Sequence, residues 1–203
     1  MKLYYLPGAC SLASFISLLE AGVKFDHAPV DRKTKKTPDG EDYLQLNPKG
    51  YVPALKLDNG EVLTENSALL AYIGDLNPAA KLIPPAGTLE RYRVHEWLSY
   101  VNGEVHKNFG LLFNPATPEA MKDIAKQNID KRLGYVEERL GGRTFLTGDN
   151  FTVADAYLYV VLSWRGRLGI SLDKFPKVSA FFERVADRPN VRAARKAEGL
   201  PEK

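Results

Sequence analysis

The sequence predicts a chain of two parts: an α+β N-terminal domain with the order βαβ-ββα, followed by an all-α C-terminal domain. Three observations support this. Strand and helix patterns alternate over the first 80 residues, NPAAKLIPPAGT is dense in Pro, Ala and Gly, and only helical periodicity follows. We therefore predict domains at 1–80 and 88–203, joined by a linker at 81–87.

The elements of the first part follow from apolar spacing and turn residues. Strands are expected at 2–6 and within KFDHAPVD, with a helix at 12–21 between them that stops at Gly22. PDGEDYLQLNP has room for one or two helical turns. VPALKLDNGEVLTE alternates apolar and polar residues around a tight DNG turn, which predicts a hairpin. A helix at 67–76 would pack on that sheet.

The second part reads as helices throughout. Apolar periodicity predicts helices at 88–112, 119–140, 153–168 and 176–187, with a shorter one near the end. FTVADAYLYVVL has a strong start signal, because Thr152 can cap the helix while Asp155 reaches back to the cap amide.

Composition excludes several classes of protein. The 203 residues carry 28 basic and 25 acidic side chains, a net charge of +3 that does not indicate a nucleic-acid partner. The basic run DRKTKK is short and fits a solvated loop. No apolar run approaches the roughly 20 residues that cross a bilayer, so no membrane partner is expected. One cysteine cannot form an internal disulfide, which fits a cytoplasmic protein.

The lone cysteine, Cys10, lies in YYLPGACSLAS where a strand pattern gives way to a helix. Unpaired amides and partial positive charge at a helix start stabilise a thiolate, so we expect a thiol pKa below about 8.5. The alternative is a small buried cysteine that fills a gap. There is no Cys-x-x-Cys, so thiol exchange would need a second thiol from outside.

Two further stretches are candidate binding segments. In GYVPAL, a cis Val52-Pro53 bond would turn the Val52 backbone toward a cleft, where a peptide-like ligand could pair with it. An ordinary trans proline in a loop is the alternative. In LTENSALL, Glu65 and Asn66 stand at a helix start, where they either hold a ligand or simply cap the helix.

Together, PGACS, GYVPAL, LTENSALLAYI and FTVADAYL occur in an order that resembles the cytosolic glutathione transferases, most closely the bacterial beta class, over essentially the whole chain. The resemblance implies a thioredoxin-like N-terminal domain, a homodimer, and glutathione as co-substrate without cofactor or metal. The implied reaction joins the glutathione thiolate to a small apolar electrophile, with thiol-transferase or dehalogenase chemistry through Cys10 as a variant. The alternative is a non-catalytic protein that binds glutathione and hydrophobic ligands.

The resemblance also implies residue roles in the N-terminal domain. Cys10 would meet the glutathione sulfur, with Ser11 and then Tyr5 as the other candidates for assisting it. The remaining roles concern the tripeptide itself: Val52 would pair with its cysteinyl backbone beside a cis Pro53, Glu65 and Asn66 would hold its γ-glutamyl end, and Lys35 would contact its glycyl carboxylate.

The long helix after the linker supplies the other candidates. Ser99, Asn102, His106, Phe109 and Phe113 recur at helical spacing and are expected on one face. The resemblance implies that His106 lies close to the glutathione sulfur; the alternative is a histidine whose hydrogen bonds are satisfied between the two domains. Glu104 lies about half a turn from His106 and cannot serve the same pocket, and the resemblance implies that it reaches into the partner subunit's site. Lys107 is a further candidate glutathione contact. Trp164 and Phe113 line either the second-substrate pocket or the core.

Overall fold

A four-stranded sheet forms the centre of the N-terminal half in the computed structural model, which describes residues 1–201. The sheet order is β2-β1-β3-β4, with β1 parallel to β2 and antiparallel to β3, and β3 antiparallel to β4. The strands are β1 (Lys2–Tyr5), β2 (Asp26–Pro29), β3 (Ala54–Lys56) and β4 (Val62–Thr64). The predicted βαβ unit and hairpin are therefore confirmed, and the half is thioredoxin-like.

The helices of this half connect the strands as predicted. Helix α1 (Ser11–Glu20) joins β1 to β2, and α3 (Asn66–Leu76) follows the hairpin. Between β2 and β3, α2 (Tyr43–Leu46) is a single turn capped by Asp42, whose carboxylate accepts a hydrogen bond from Leu44 N.

The segment predicted as a linker, 81–87, contains neither helix nor strand. It is nevertheless held firmly, because Leu82 and Ile83 are buried in the core. The carbonyl of Leu82 also accepts a 3.1 Å hydrogen bond from Val153 N. The two halves consequently pack as one body around this segment.

The C-terminal half is helical over its described residues, after a 3₁₀ turn at Pro78–Ala80. The helix predicted at 88–112 is not uniform: a π-helical segment, Val101–His106, interrupts it. The helix predicted at 153–168 breaks at Trp164. The helices are α4 (Leu89–Tyr100), α5 (Lys107–Phe113), α6 (Glu119–Leu140), α7 (Val153–Ser163), α8 (Arg165–Leu168), α9 (Pro176–Ala186) and α10 (Pro189–Ala197).

Helix α7 is the centre of the shared core. Its residues from Val153 to Leu162 are all buried, and it packs against α1, α4 and α9. The predicted capping box is present: Asp155 Oδ2 accepts hydrogen bonds of 2.8 Å from both Thr152 N and Thr152 Oγ1. Asp155 Oδ1 accepts a third, of 2.9 Å, from Leu146 N. This carboxylate therefore ties the start of α7 to the preceding loop.

Candidate functional site

The turn between β1 and α1 is held from both sides by the C-terminal half. Gly8 has a φ of +71°, in the left-handed region that favours glycine. Its N–H donates to Glu198 Oε2 at 2.8 Å, and its carbonyl accepts from Trp164 Nε1 at 2.8 Å. The position of the following Cys10 thus depends on contacts that come from distant parts of the chain.

Cys10 is half-buried between the two halves, and its thiol donates to the carbonyl of Val52, with Sγ and oxygen 3.4 Å apart. Burial raises the pKa of Cys10 to about 12, against the opposing effect of its own amide and that of Ser11. The expected pKa below the free value is therefore wrong, because desolvation outweighs the helix start. Cys10 is a protonated hydrogen-bond donor at neutral pH.

The two alternative candidates near Cys10 lie outside the cleft. The Ser11 hydroxyl is fully buried, accepts from Leu6 N at 3.2 Å and donates to Leu6 O at 3.3 Å. Tyr5 is buried against the rings of Phe15 and His27. Burial also raises the pKa of Tyr5 above its ordinary value. Neither side chain is placed to touch a ligand in the cleft.

The Val52-Pro53 peptide bond is cis, as the resemblance implies. The residue before it, Tyr51, has its carbonyl fixed by the Tyr43 hydroxyl at 2.6 Å and by Asn47 Nδ2 at 2.8 Å. Buried polar side chains therefore determine the path of the chain into the hairpin.

The start of α3 meets the start of α1 through Asn66. This buried amide accepts a 2.9 Å hydrogen bond from Ser14 Oγ at Oδ1 and donates a 3.2 Å one to the carbonyl of Cys10. Glu65 has a φ of +70°, and its side chain, 71% exposed, forms an ion pair with Lys49. Asn66 thus has a structural role here, while the carboxylate of Glu65 is accessible.

His106 is oriented by a tyrosine that the sequence reasoning missed. The hydroxyl of Tyr157 donates to Asn102 Oδ1 at 2.9 Å and lies 2.8 Å from His106 Nδ1. Because that hydroxyl has one proton, Nδ1–H is the donor to it, and Nε2 carries the free lone pair. Burial lowers the pKa of His106 to about 4, so the ring is neutral.

A signal for this partnership exists in the sequence. Tyr157 lies in the otherwise apolar α7, is fully buried, and its hydroxyl requires a partner there. The sequence alone does not say which residue that partner is.

Aromatic rings gather around Trp164. Its ring centroid lies 4.8 Å from that of His106, 6.1 Å from that of Phe109 and 5.7 Å from that of Phe113. The predicted common face of His106, Phe109 and Phe113 is therefore present. Trp164 is buried, whereas Phe113 is 39% exposed and presents an apolar surface.

Two adjoining cavities meet at Cys10. The larger cavity, about 510 Å³, extends along Trp164 and Phe113, and the smaller cavity, about 290 Å³, extends along Glu65 and Asn66. Both are lined by Cys10, Tyr51, Val52 and His106. Lys35 lines the larger cavity and its Nζ donates to Gly50 O at 2.9 Å.

Glu104 faces away from these cavities, as its spacing from His106 predicts. Its carboxylate pairs with Arg132 at 2.7 Å in a groove that also includes Ser99. The predicted placement of Ser99 on the face of His106 is therefore wrong. The intervening π-helix closes its hydrogen bonds over five residues instead of four, so the seven steps between them no longer complete two turns. Lys107 is exposed and lines neither cavity.

The carboxyl of Glu198, after α10, is a second buried group that the sequence does not indicate. It is 5% exposed and is held by the N–H of Gly8, while its Oε1 has no partner among residues 1–201. Burial raises the pKa of Glu198 to about 8, although Gly8 N–H and Arg195 act in the opposite direction. A protonated carboxyl therefore lies behind the Cys10 turn at neutral pH.

Within residues 1–201, no cluster of three or more His, Cys, Asp or Glu side chains is arranged to hold a metal ion. None of the described helices combines the length and apolarity needed to cross a membrane.

Comparison with known proteins finds relatives along the whole chain. Residues 9–76 match the family model "Glutathione S-transferase, N-terminal domain", and residues 96–189 match "Glutathione S-transferase, C-terminal domain". Glutathione S-transferase GstA of Escherichia coli O157:H7 is 45% identical over 200 residues, covering 98% of this chain and 100% of that protein.

Solved structures agree in fold. A glutathione transferase from Methylococcus capsulatus is 55% identical with a TM-score of 0.96, covering 98% of this chain and 99% of the other. A sphingomonad glutathione S-transferase in complex with glutathione is 48% identical with a TM-score of 0.95, covering 99% of this chain and 100% of the other.

Proposed function

This chain belongs to the glutathione S-transferase family and is a glutathione transferase, and from that premise we propose how its own residues carry the reaction. The observation that supports the proposal most directly is the junction of the two cavities. Cys10, Val52 and His106 line both, so a sulfur bound there would face each cavity.

Glutathione crosses this junction in the proposed complex. Its γ-glutamyl end lies in the smaller cavity, where Glu65 receives the ammonium group after exchange with Lys49. Its cysteinyl backbone pairs with that of Val52 beside Pro53, and its glycyl carboxylate reaches Lys35. Only the γ-glutamyl end of the tripeptide carries an ammonium group, so the carboxylate of Glu65 sets its direction.

The glutathione thiolate is stabilised by the helix start, in our proposal. The amides of Cys10 and Ser11 supply the positive end of α1. The Cys10 thiol adds one hydrogen bond when it turns from the carbonyl of Val52 to the glutathione sulfur. His106 is neutral, so Nε2 serves as an acceptor that orients the glutathione thiol before its proton leaves. Ser11 and Tyr5 have no direct part.

The second substrate occupies the larger cavity, against Phe113 and Trp164. The glutathione thiolate attacks the electrophilic carbon, a C–S bond forms, and in a halide substrate the C–Cl bond breaks as chloride leaves with the electron pair. The thiol proton has passed to solvent. Glutathione is consumed as a co-substrate.

We further propose a homodimer. Large apolar side chains are exposed on α4 and α6, as expected of faces covered by a second subunit. The exposed side chains are Leu89, Tyr92, Met121, Ile124 and Tyr135. Glu104 shares a groove with one of them, Tyr135, and is a candidate contact to the partner's glutathione, as is the exposed Lys107. A cytoplasmic location fits the free Cys10, because thiols stay reduced there.

The first prediction tests the glutathione site. Glu65→Gln is expected to raise KM for glutathione about tenfold to a hundredfold in conjugation to chlorodinitrobenzene, because one charge-assisted hydrogen bond is worth about 1.5–3 kcal/mol. KM for the electrophile should not change. Glu61→Gln, an exposed change in the same hairpin, is the control. Binding of an apolar dye without turnover by the parent protein would instead favour the non-catalytic binding protein.

The second prediction concerns Cys10. Since its thiol is protonated, we expect Cys10→Ala to lower kcat/KM for conjugation only about threefold to tenfold, the effect of one weak hydrogen bond. Glutathione-dependent reduction of a small disulfide should fall by the same factor. Cys10→Ser keeps a donor and serves as the control. If Cys10→Ala abolished the reductase alone, Cys10 would be a nucleophile that forms a mixed disulfide.

A further inference from the structure

Two guanidinium groups line the larger cavity without a partner. Arg32 follows β2 and Arg167 lies in α8, and both are exposed. Neither forms a hydrogen bond or ion pair within residues 1–201. By contrast, the neighbouring Arg165 is engaged, with its guanidinium 3.8 Å above the ring of Phe182. The cleft thus has two cations that the fold itself does not use.

Other charged groups of this cavity are already occupied. The carboxylate of Asp31 accepts hydrogen bonds from Lys33 N at 3.0 Å and from Thr34 N at 2.6 Å within its own turn. These bonds lower the pKa of Asp31, so its charge is retained. Lys35 donates to Gly50 O. With Lys35 assigned to the glycyl carboxylate of glutathione, Arg32 and Arg167 remain against Asp31 in a cavity that contains a neutral His106, so the excess charge of these side chains is positive.

The position of Arg167 relates this charge to the aromatic wall. It follows Trp164 by three residues, the spacing of neighbours on a helical turn. The reacting carbon must lie near Cys10 and His106, where the cavities meet. A substrate that extends from that point over Trp164 and Phe113 reaches the rim where Arg167 stands.

We propose that the preferred electrophile of this transferase is amphipathic, with an apolar reacting part against Trp164 and Phe113 and an anionic group, such as a carboxylate, held by Arg167. The inference rests on the proposed function. Arg32 contributes to the same positive field, and the guanidinium geometry suits a carboxylate. An arginine at this rim also offsets the repulsion between the glutathione thiolate and a second anion.

A matched pair of substrates tests the proposal. A chlorodinitrobenzoate and the corresponding chlorodinitrobenzamide share ring, leaving group and shape, and differ in one charge. Each kcat/KM is measured with glutathione, and the benzoate-to-benzamide ratio is compared between the parent, Arg167→Met and Arg167→Lys. Intrinsic reactivity cancels in this comparison. Lys131→Met, which removes an exposed charge from α6, controls for net charge.

Arg167→Met is expected to lower the ratio about twofold to fivefold, the effect of an exposed ion pair. Arg167→Lys should restore most of it, and Lys131→Met should leave it unchanged. High salt should lower the ratio in the three proteins that keep a cation at position 167, and less in Arg167→Met.

An unchanged ratio in Arg167→Met would overturn the inference. So would a rise in KM for glutathione in that variant, since the arginine would then be serving the tripeptide's own charges. Absence of turnover of both probes by the parent would contradict the transferase assignment itself, so the two failures are distinguishable.

Discussion

Replacing Asp155 by alanine is expected to lower the free energy of unfolding by about 3–5 kcal/mol, because two buried amides and one hydroxyl lose their acceptor. The amides belong to Leu146 and Thr152, and the hydroxyl to Thr152. An unpaired buried donor costs about 1–3 kcal/mol, and a lost helix cap adds about 1 kcal/mol. Urea denaturation followed by circular dichroism measures the change.

The control is a cap that is exposed. Asp42→Ala removes the acceptor of Leu44 N at the start of α2, where water can replace it, so the loss should be below about 1 kcal/mol. Similar losses in the two variants would mean that the buried capping box of α7 is no more important than an ordinary surface cap.

These two caps illustrate how much of the fold is readable from the sequence. Thr152 and Asp155 are three residues apart before an apolar run, and that local pattern predicted the start of α7 correctly. The hairpin at VPALKLDNGEVLTE was equally readable, since its turn residues and alternation are local. Elements whose determinants lie within a few residues of one another were predicted with their type correct.

The site itself depends on contacts between distant residues. Cys10 lies at a helix start, which by itself lowers the pKa of a thiol. The burial that raises the pKa of Cys10 comes from packing between the two halves. The tautomer of His106 is set by Tyr157, 51 residues further along. Neither environment can be obtained from a local pattern.

The prediction of which residues share a face of the long helix failed for a different reason. A regular 3.6-residue period placed Ser99 with His106, but the π-helical segment Val101–His106 shifts the faces. The apolar residues recur at spacings that fit either an α-helix or a π-helix, so the sequence did not reveal the π-helical segment. Where the spacing was short, as from His106 to Phe109, the predicted face was correct.

Glu198 should make the free energy of unfolding decrease as the pH rises. Its pKa is raised from 4.5 to about 8 by burial, so the folded state holds a proton that the unfolded state releases between these values. The free energy of unfolding therefore falls as pH rises through this window and levels off above it. Glu198→Gln removes the titrating group and keeps an acceptor for Gly8 N.

We expect the free energy of unfolding of Glu198→Gln, relative to that of the parent, to be about 2–4 kcal/mol higher at about pH 9 than at about pH 5. This is less than the full pKa shift implies, because the carboxylate can relax toward water. Urea denaturation of both proteins at the two pH values measures this. Glu138→Gln, an exposed change on α6, should show no such gain.

The sign of the change identifies its cause. If the Glu198 carboxylate were stabilised in the folded state by Arg195 and Gly8 N–H, its pKa would lie below the unfolded value, and Glu198→Gln would lose stability as pH rises. A gain means that desolvation dominates, and that an alkaline medium places an unfavourable charge directly behind the turn that carries Cys10. The same contact to Gly8 would then link folding to the position of the thiol.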